Sequence, residues 1–330
     1  MVRVAVLDDF HRAFAPSEPL ARLRQAADVT IYEEPFASEE AMVAALQGVE
    51  VAITNRERTH FTADLLRRLP DLKLISQTGT HFYHVDIAAA TRQGVILANA
   101  PGGSSPSVAE MTIAFMIALT RRMLQADAAM RRGEWPVELF GSIEGKRLGI
   151  LGMGKIGNLV TRAAHAFGTE VVAWGPTFTD ERASAAGVRR VELDDVFRTS
   201  DFVSVHLTLS ELSRGLVSRE RLALMKPTGF LINTARAAIT DEAALVEALR
   251  QHRIAGAALD VFMEEPLPPD SPIRQLDNVI LSPHAGWTTN EAYGPWIAMT
   301  VENVLAYLAG DPIRVHNPDV LGRPAASSAH

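Results

Sequence analysis

Leu148-Gly149-Ile150-Leu151-Gly152-Met153-Gly154-Lys155-Ile156-Gly157 is the stretch on which the fold turns. The apolar run 148–151 reads as a buried strand, and residues 156–167 repeat apolar positions at helical spacing. Between them stands a G-x-G-x-x-G string. In that setting Gly152 permits a tight turn, Gly154 lets a pyrophosphate approach the backbone, and Gly157 lets helix and strand pack closely. The helix N-terminus then offers N–H groups and a partial positive charge to the anion. The plainer alternative is an ordinary glycine-rich strand-to-helix turn, and the flanking strand and helix count against it. Gly152, Gly154, Lys155, Ile156 and Gly157 are therefore candidate cofactor-binding residues.

Working outward, strands are expected over 171–174, 202–205, 230–232, 257–259 and 279–281, with a last helix over 289–308. Upstream, β-branched runs at 2–7, 29–32, 51–54, 74–77 and 95–98 alternate with helical patterns such as 39–46 and 64–69. Alternation of this kind implies parallel sheets with helices on both faces. A turn-rich patch, Asn99-Ala100-Pro101-Gly102-Gly103-Ser104-Ser105-Pro106, reads as a hinge or junction. It leads into a helix expected over 107–124, apolar nearly all round and therefore buried, with a second subunit as one candidate cover. The tail from Gly310 reads as loosely ordered. We expect residues 1–99 with 287–330 to form one domain and 100–286 the dinucleotide-binding domain.

Composition narrows the function classes. The 330 residues carry a formal net charge of −7, which argues against a nucleic-acid partner because such proteins present a basic field. The absence of cysteine removes disulfides, thiolate nucleophiles and sulfur-ligated metals together. No apolar run approaches the ~20 residues of a membrane span, and the N-terminus enters a strand-like run directly. A cytoplasmic protein without a membrane segment is the expectation.

An NAD enzyme of this type places an acid about 20 residues beyond the glycine string, on the ribose hydroxyls. Here the strand ends at Gly175-Pro176, where no carboxylate stands; Asp180 and Glu181 come later, and Arg182 is the nearby cation. NAD is expected, and NADP is left open.

Three further strings follow in order: Leu231-Ile232-Asn233-Thr234-Ala235-Arg236, then Gly256-Ala257-Ala258-Leu259-Asp260-Val261-Phe262-Met263-Glu264-Glu265-Pro266, then Ser282-Pro283-His284-Ala285-Gly286. With the glycine string before them, they resemble the D-isomer-specific 2-hydroxyacid dehydrogenase family over residues 51–308. The resemblance implies an α/β protein of two doubly wound domains, a flavodoxin-like substrate domain and an inserted Rossmann dinucleotide-binding domain. From the all-round apolar content of the helix 107–124 we also expect a homodimer formed through that helix. The implied activity is hydride transfer between NAD(P)H and a 2-keto acid or D-2-hydroxy acid.

The implied catalytic residues are Arg236, Glu265 and His284. Arg236 offers a planar, permanently charged fork for a substrate carboxylate; a lone arginine is otherwise a surface ion pair. His284 can hold or release a proton near neutral pH, as carbonyl reduction requires. A carboxylate against its ring would fix the tautomer and favour imidazolium. The family spacing from Asp260 selects Glu265 for this, leaving Glu264 to solvent. Asp260, Leu207, Thr208, Thr234, Ala235 and Gly286 match cofactor-lining positions, although the family often has proline where Thr208 stands and glycine where Ala237 stands. Asp260 could equally be a strand-end cap.

In the first domain, Gly79-Thr80-His81 resembles the family loop whose backbone N–H groups bind the substrate carboxylate, with His81 replacing the second glycine. His81 and His84 lack the carboxylate cluster that a metal site needs, and no metal is expected. Phe82, Tyr83, Phe140, Trp287 and Tyr293 are candidates for shaping the pocket. A dinucleotide-sensing module of the same fold, like the related C-terminal-binding corepressors, is the alternative to an enzyme. Formate-oxidising relatives carry glutamine where Glu265 stands.

Overall fold

The computed structural model describes residues 1–56, 58–101 and 103–322. Gly102 of the hinge patch and residues 323–330 of the tail lie outside the described residues. The chain forms two compact units, Met1–Gly103 with Asn290–His330, and Ser104–Thr289.

The first unit is built on five parallel strands, β1 (Val2–Leu7), β2 (Ala27–Ile31), β3 (Val51–Thr54), β4 (Leu74–Thr78) and β5 (Ile96–Ala100), ordered β2-β1-β3-β4-β5. This is the flavodoxin-like order. β3 and β4 are buried at every position, as parallel strands covered on both faces must be. The helix Asn290–Leu308 packs on this sheet. The Ser76 hydroxyl donates to the Thr300 carbonyl (3.1 Å), and the Asn303 amide donates to Ser76 Oγ (3.2 Å) and the Asn99 carbonyl (3.0 Å).

The tail differs from expectation through residue 322. Val315 bridges Ala98 at the sheet edge, and His316 N–H donates to Leu97 O (2.7 Å). Asn317 accepts from Leu97 N–H (2.8 Å) and donates to Val95 O (3.0 Å). Prolines and small residues suggested looseness; a buried asparagine that satisfies the open edge of β5 overrides that composition.

The second unit carries seven parallel strands: β6 (Arg147–Leu151), β7 (Glu170–Trp174), β8 (Arg189–Arg190), β9 (Phe202–Val205), β10 (Phe230–Asn233), β11 (Gly256–Leu259) and β12 (Val279–Leu281). Their order is β12-β11-β10-β9-β6-β7-β8, the doubly wound dinucleotide-binding arrangement with one added strand. The helix expected over 107–124 is two helices, Ser105–Thr120 and Met123–Arg131. Arg122 between them sits in the left-handed region (φ 48°), which ends the first helix. Ala109, Ile113, Met116 and Leu119 pack within this unit against residues such as Leu148, Ile150 and Val160. That packing accounts for the all-round apolar content that had pointed to a partner.

In open α/β sheets, ligands sit beyond the strand ends where the winding reverses. The reversals fall between β1 and β3 in the first unit and between β6 and β9 in the second.

Candidate active site

The glycine string occupies the β6/β9 reversal. Gly152 has φ 103°, and a Cβ there would stand 2.8 Å from the His206 carbonyl oxygen. A Cβ on Gly157 would stand 2.4 Å from Gly152 O, whereas one on Gly154 would meet nothing within 4 Å. Two glycines thus serve the protein's own packing, and Gly154 faces open space. The helix Lys155–Ala166 starts at Gly154 with no side-chain cap, so its first N–H groups stay available to an anion. Beside it lies a cavity of about 280 Å³ whose walls include Gly152, Gly175, Arg182, His206 and Thr208. A cradle that a Cβ would partly fill, an uncapped helix and an adjoining cavity fit a dinucleotide.

His284 and Glu265 meet as expected. His284 Nδ1 and Glu265 Oε2 are 2.7 Å apart, with side chains 28% and 35% exposed. The other carboxylate oxygen accepts the Phe262 N–H at 2.9 Å. Burial pushes the Glu265 carboxyl up. The His284 hydrogen bond and charge, the Phe262 N–H and the Arg236 charge together outweigh it and hold the group below its ordinary value. Glu264 is exposed.

His284 itself holds a left-handed backbone, φ 54°, a conformation that persists in a non-glycine residue only where its surroundings enforce it. Asp260 supplies the enforcement. It is buried at the end of β11 and takes the Ser282 hydroxyl, the Ala285 N–H (2.8 Å) and the Gly286 N–H (2.9 Å). A Cβ on Gly286 would come within 2.9 Å of that carboxylate. Burial raises the Asp260 carboxyl against the lowering effect of these bonds.

Arg236 follows β10 on a turn pinned by Asn233, whose side chain accepts the Ala235 N–H (3.0 Å) and donates to Arg236 O (3.0 Å). Ala237, where the family has glycine, opens a short 3-10 turn, Ala237–Ile239, without a positive φ. The alanine is therefore accommodated without backbone strain. Thr234 Oγ1 lies 3.4 Å from Thr112 Oγ1 on the helix Ser105–Thr120. Leu207 and Thr208 line the cavity beside the glycine turn.

In the first unit, Gly79 adopts φ 118°, and its own N–H donates to Ala100 O at 3.2 Å. That donor is committed to the fold. His81 uses its carbonyl to accept from Gln77 Nε2 (2.6 Å) and stacks its ring on exposed Tyr83 at 5.0 Å. Phe82 points into the core of this unit instead of shaping a pocket.

Two residues were missed in the sequence. A Cβ on Gly79 would stand 2.9 Å from the Arg56 guanidinium, which also lies over the Trp296 ring at 5.4 Å. Arg56 follows the end of β3, at the reversal where a cation could have been sought. His206, at the end of β9, lines the dinucleotide cavity; burial lowers it to about 4, which keeps it neutral.

Among the described residues, no group of three or more His, Asp or Glu could hold a metal, and no helix is long and apolar enough to cross a membrane.

Residues 113–286 match the family model for the D-isomer-specific 2-hydroxyacid dehydrogenase NAD-binding domain. Glyoxylate reductase of Aeropyrum pernix is 36% identical over 306 residues, covering 89% of this chain and 90% of that protein. D-3-phosphoglycerate dehydrogenase of Methanocaldococcus jannaschii is 36% identical over 315 residues, covering 94% of this chain. This chain spans 58% of that longer relative's length. The crystal structure of a phosphoglycerate oxidoreductase from Vibrio cholerae superposes with a TM-score of 0.87 at 31% identity, covering 94% of this chain and 100% of that one. The chain belongs to the D-isomer-specific 2-hydroxyacid dehydrogenase family, and its cofactor is NAD(H).

Proposed function

We propose that the protein reduces a short 2-keto acid, glyoxylate or hydroxypyruvate, to the D-2-hydroxy acid and catalyses the reverse oxidation. The observation that carries this reading is the 2.7 Å contact between His284 Nδ1 and Glu265. With Nδ1 engaged by an ionised carboxylate, Nε2 is the nitrogen that carries the exchangeable proton. Bound NADH supplies the hydride. His284 Nε2 gives its proton to the keto oxygen in reduction and takes it back in oxidation. Glu265 stabilises the imidazolium and is not itself protonated. Arg236 takes the substrate carboxylate in two-point contact. In the first unit the Arg56 guanidinium, set against Gly79, adds positive charge to the loop after β4. Asp260 holds the His284 loop and faces the nicotinamide carboxamide.

The Aeropyrum relative, whose length this chain nearly matches, is named for glyoxylate reduction, which supports a small substrate. We place the protein in the cytoplasm as a homodimer. The support for a dimer now lies beyond the helix Ser105–Thr120, in the exposed Trp135, Val137 and Leu139.

The test is a panel of 2-keto acids with NADH, followed by loss of nicotinamide absorbance and chiral analysis of the product. Glyoxylate or hydroxypyruvate should be consumed, the latter giving the D isomer. His284→Ala should lose kcat on the order of 10²- to 10⁴-fold with NADH affinity unchanged. Wild-type turnover in that variant would remove His284 from the mechanism. NADH binding without consumption of any keto acid would instead favour a sensing module.

A further inference from the structure

Every backbone N–H of the loop 282–286, which carries His284, has an acceptor within the second unit. The Ser282 N–H donates to Leu259 O (2.9 Å) and the His284 N–H to Ser282 O (2.9 Å). The Ala285 and Gly286 N–H groups go to the two oxygens of Asp260 (2.8 and 2.9 Å). Pro283 has no N–H to place. Any residue at position 282 could make its two backbone bonds. Only the hydroxyl bond to Asp260 Oδ1 requires the serine side chain.

Ser282 therefore fastens the loop at three points. Its N–H ties it to β11, its carbonyl holds the His284 N–H, and its hydroxyl reaches the carboxylate oxygen that the Ala285 N–H also uses. Donors to Asp260 thus bracket His284 on both sides, and the left-handed φ of 54° lies inside the bracket. A non-glycine residue keeps that conformation only while its surroundings impose it. Met111 Sδ lies 3.9 Å from the hydroxyl, but a thioether is a weak acceptor, so the proton goes to the carboxylate. Ser282 and Asp260 are 9% and 2% exposed, which shields the bond from competing water. Burial pushes the Asp260 carboxyl up, and the Ser282 bond is the largest influence in the other direction.

We propose that the Ser282 hydroxyl is a positioning group for the reaction: by holding Asp260 Oδ1 it fixes the His284 turn, and with it the aim of the imidazole. The proposal rests on His284 as the acid/base and deepens that reading by adding a residue that acts through Asp260. The rival account is that the hydroxyl only stabilises a buried strand end.

Ser282→Ala removes the hydroxyl and keeps both backbone bonds. Ser282→Thr keeps the hydroxyl at a residue that directly follows β12, where a β-branched side chain is favoured. Two readouts are taken on the full-length protein. The first is consumption of hydroxypyruvate, or of glyoxylate if that is faster, at saturating NADH. Ser282→Ala should lower kcat at least about tenfold with KM changed less than about threefold, and Ser282→Thr should return kcat to within about threefold of wild type. The second readout does not depend on activity. Amide hydrogen exchange at Ala285 and Gly286, followed by NMR, should quicken about tenfold in Ser282→Ala and recover in Ser282→Thr. In an Asp260→Asn background, Ser282→Ala should change neither readout by more than about twofold.

Unchanged kcat in Ser282→Ala would overturn the proposal, and a lowered Tm beside it would favour the rival account. A fall in kcat without faster exchange would also overturn it, because the effect would not pass through the turn. So would a Ser282→Thr variant as impaired as Ser282→Ala, or an undiminished loss in the Asp260→Asn background. Wild-type protein that consumes no 2-keto acid would remove the reading on which the proposal rests, and the proposal with it; that outcome is distinct from all the others.

Discussion

His284 owes its position to two carboxylates with different tasks. Asp260 spends its oxygens on the Ser282, Ala285 and Gly286 donors, which forces the left-handed turn. Glu265 meets the ring itself. Because the folded-state value of Glu265 lies below its ordinary 4.5, its ionised form contributes stability above about pH 4.5, and that contribution is lost as pH falls through the lower folded value. The carboxylate therefore stays charged, and continues to support the imidazolium, to lower pH than a free glutamate would. We expect Glu265→Gln to lower kcat for reduction on the order of 10²-fold with little change in NADH affinity. Urea unfolding should show wild type more stable than this variant at pH 7, with the gap closing as the pH falls through the lowered Glu265 value. A gap that is independent of pH would mean that the ionised carboxylate contributes nothing there. Glu265 and His284 were legible because the family strings fix their spacing. Arg56 was not, because its contact with Gly79 joins the ends of two strands that lie apart in sequence.

At the scale of elements, the turn from β6 into the helix Lys155–Ala166 gives the sharpest contrast. Gly157 and Gly154 look equivalent in the string, yet a Cβ on Gly157 collides with Gly152 O at 2.4 Å and one on Gly154 meets nothing. Gly157→Ala should therefore destabilise by about 2 kcal/mol and weaken NADH binding as well. Gly154→Ala should leave stability within about 0.5 kcal/mol and weaken NADH binding at least about tenfold. Parallel chemical denaturation and cofactor titration of the two variants check both; equal stability losses would refute the division of labour. Most strands were legible because parallel strands buried on both faces read as continuous apolar runs. β8 was not, being two exposed arginines with no pattern to read. The break at Arg122 was missed for a related reason: a left-handed arginine carries none of the glycine or proline punctuation that marks a helix end. The order of residues 310–322 depends on pairing with β5, a partner remote in sequence.

On the scale of the whole molecule, the reaction class and the two-unit organisation follow from motifs, whereas substrate choice depends on side-chain directions that no string encodes. Phe82 turned to the core and His81 onto Tyr83 illustrate this. Assembly is the other property decided at this scale. Within the second unit the apolar stripe of Ser105–Thr120 is consumed by the unit's own core. The segment after it is not: Trp135, Val137 and Leu139 are 76%, 93% and 103% exposed, a concentration of apolar surface that water does not favour. Side chains so exposed contribute little to the fold of one chain, so replacing them should alter association and leave folding intact. Val137→Asp combined with Leu139→Asp should convert a wild-type dimer to a monomer in sedimentation velocity, with Tm changed only as far as loss of the partner requires. The substituted monomer should still bind NADH, since the dinucleotide cavity is lined entirely by residues between Gly152 and Ser213. A wild-type protein that sediments as a monomer at every concentration would remove the dimer, and the exposed segment would then need a different partner to explain it.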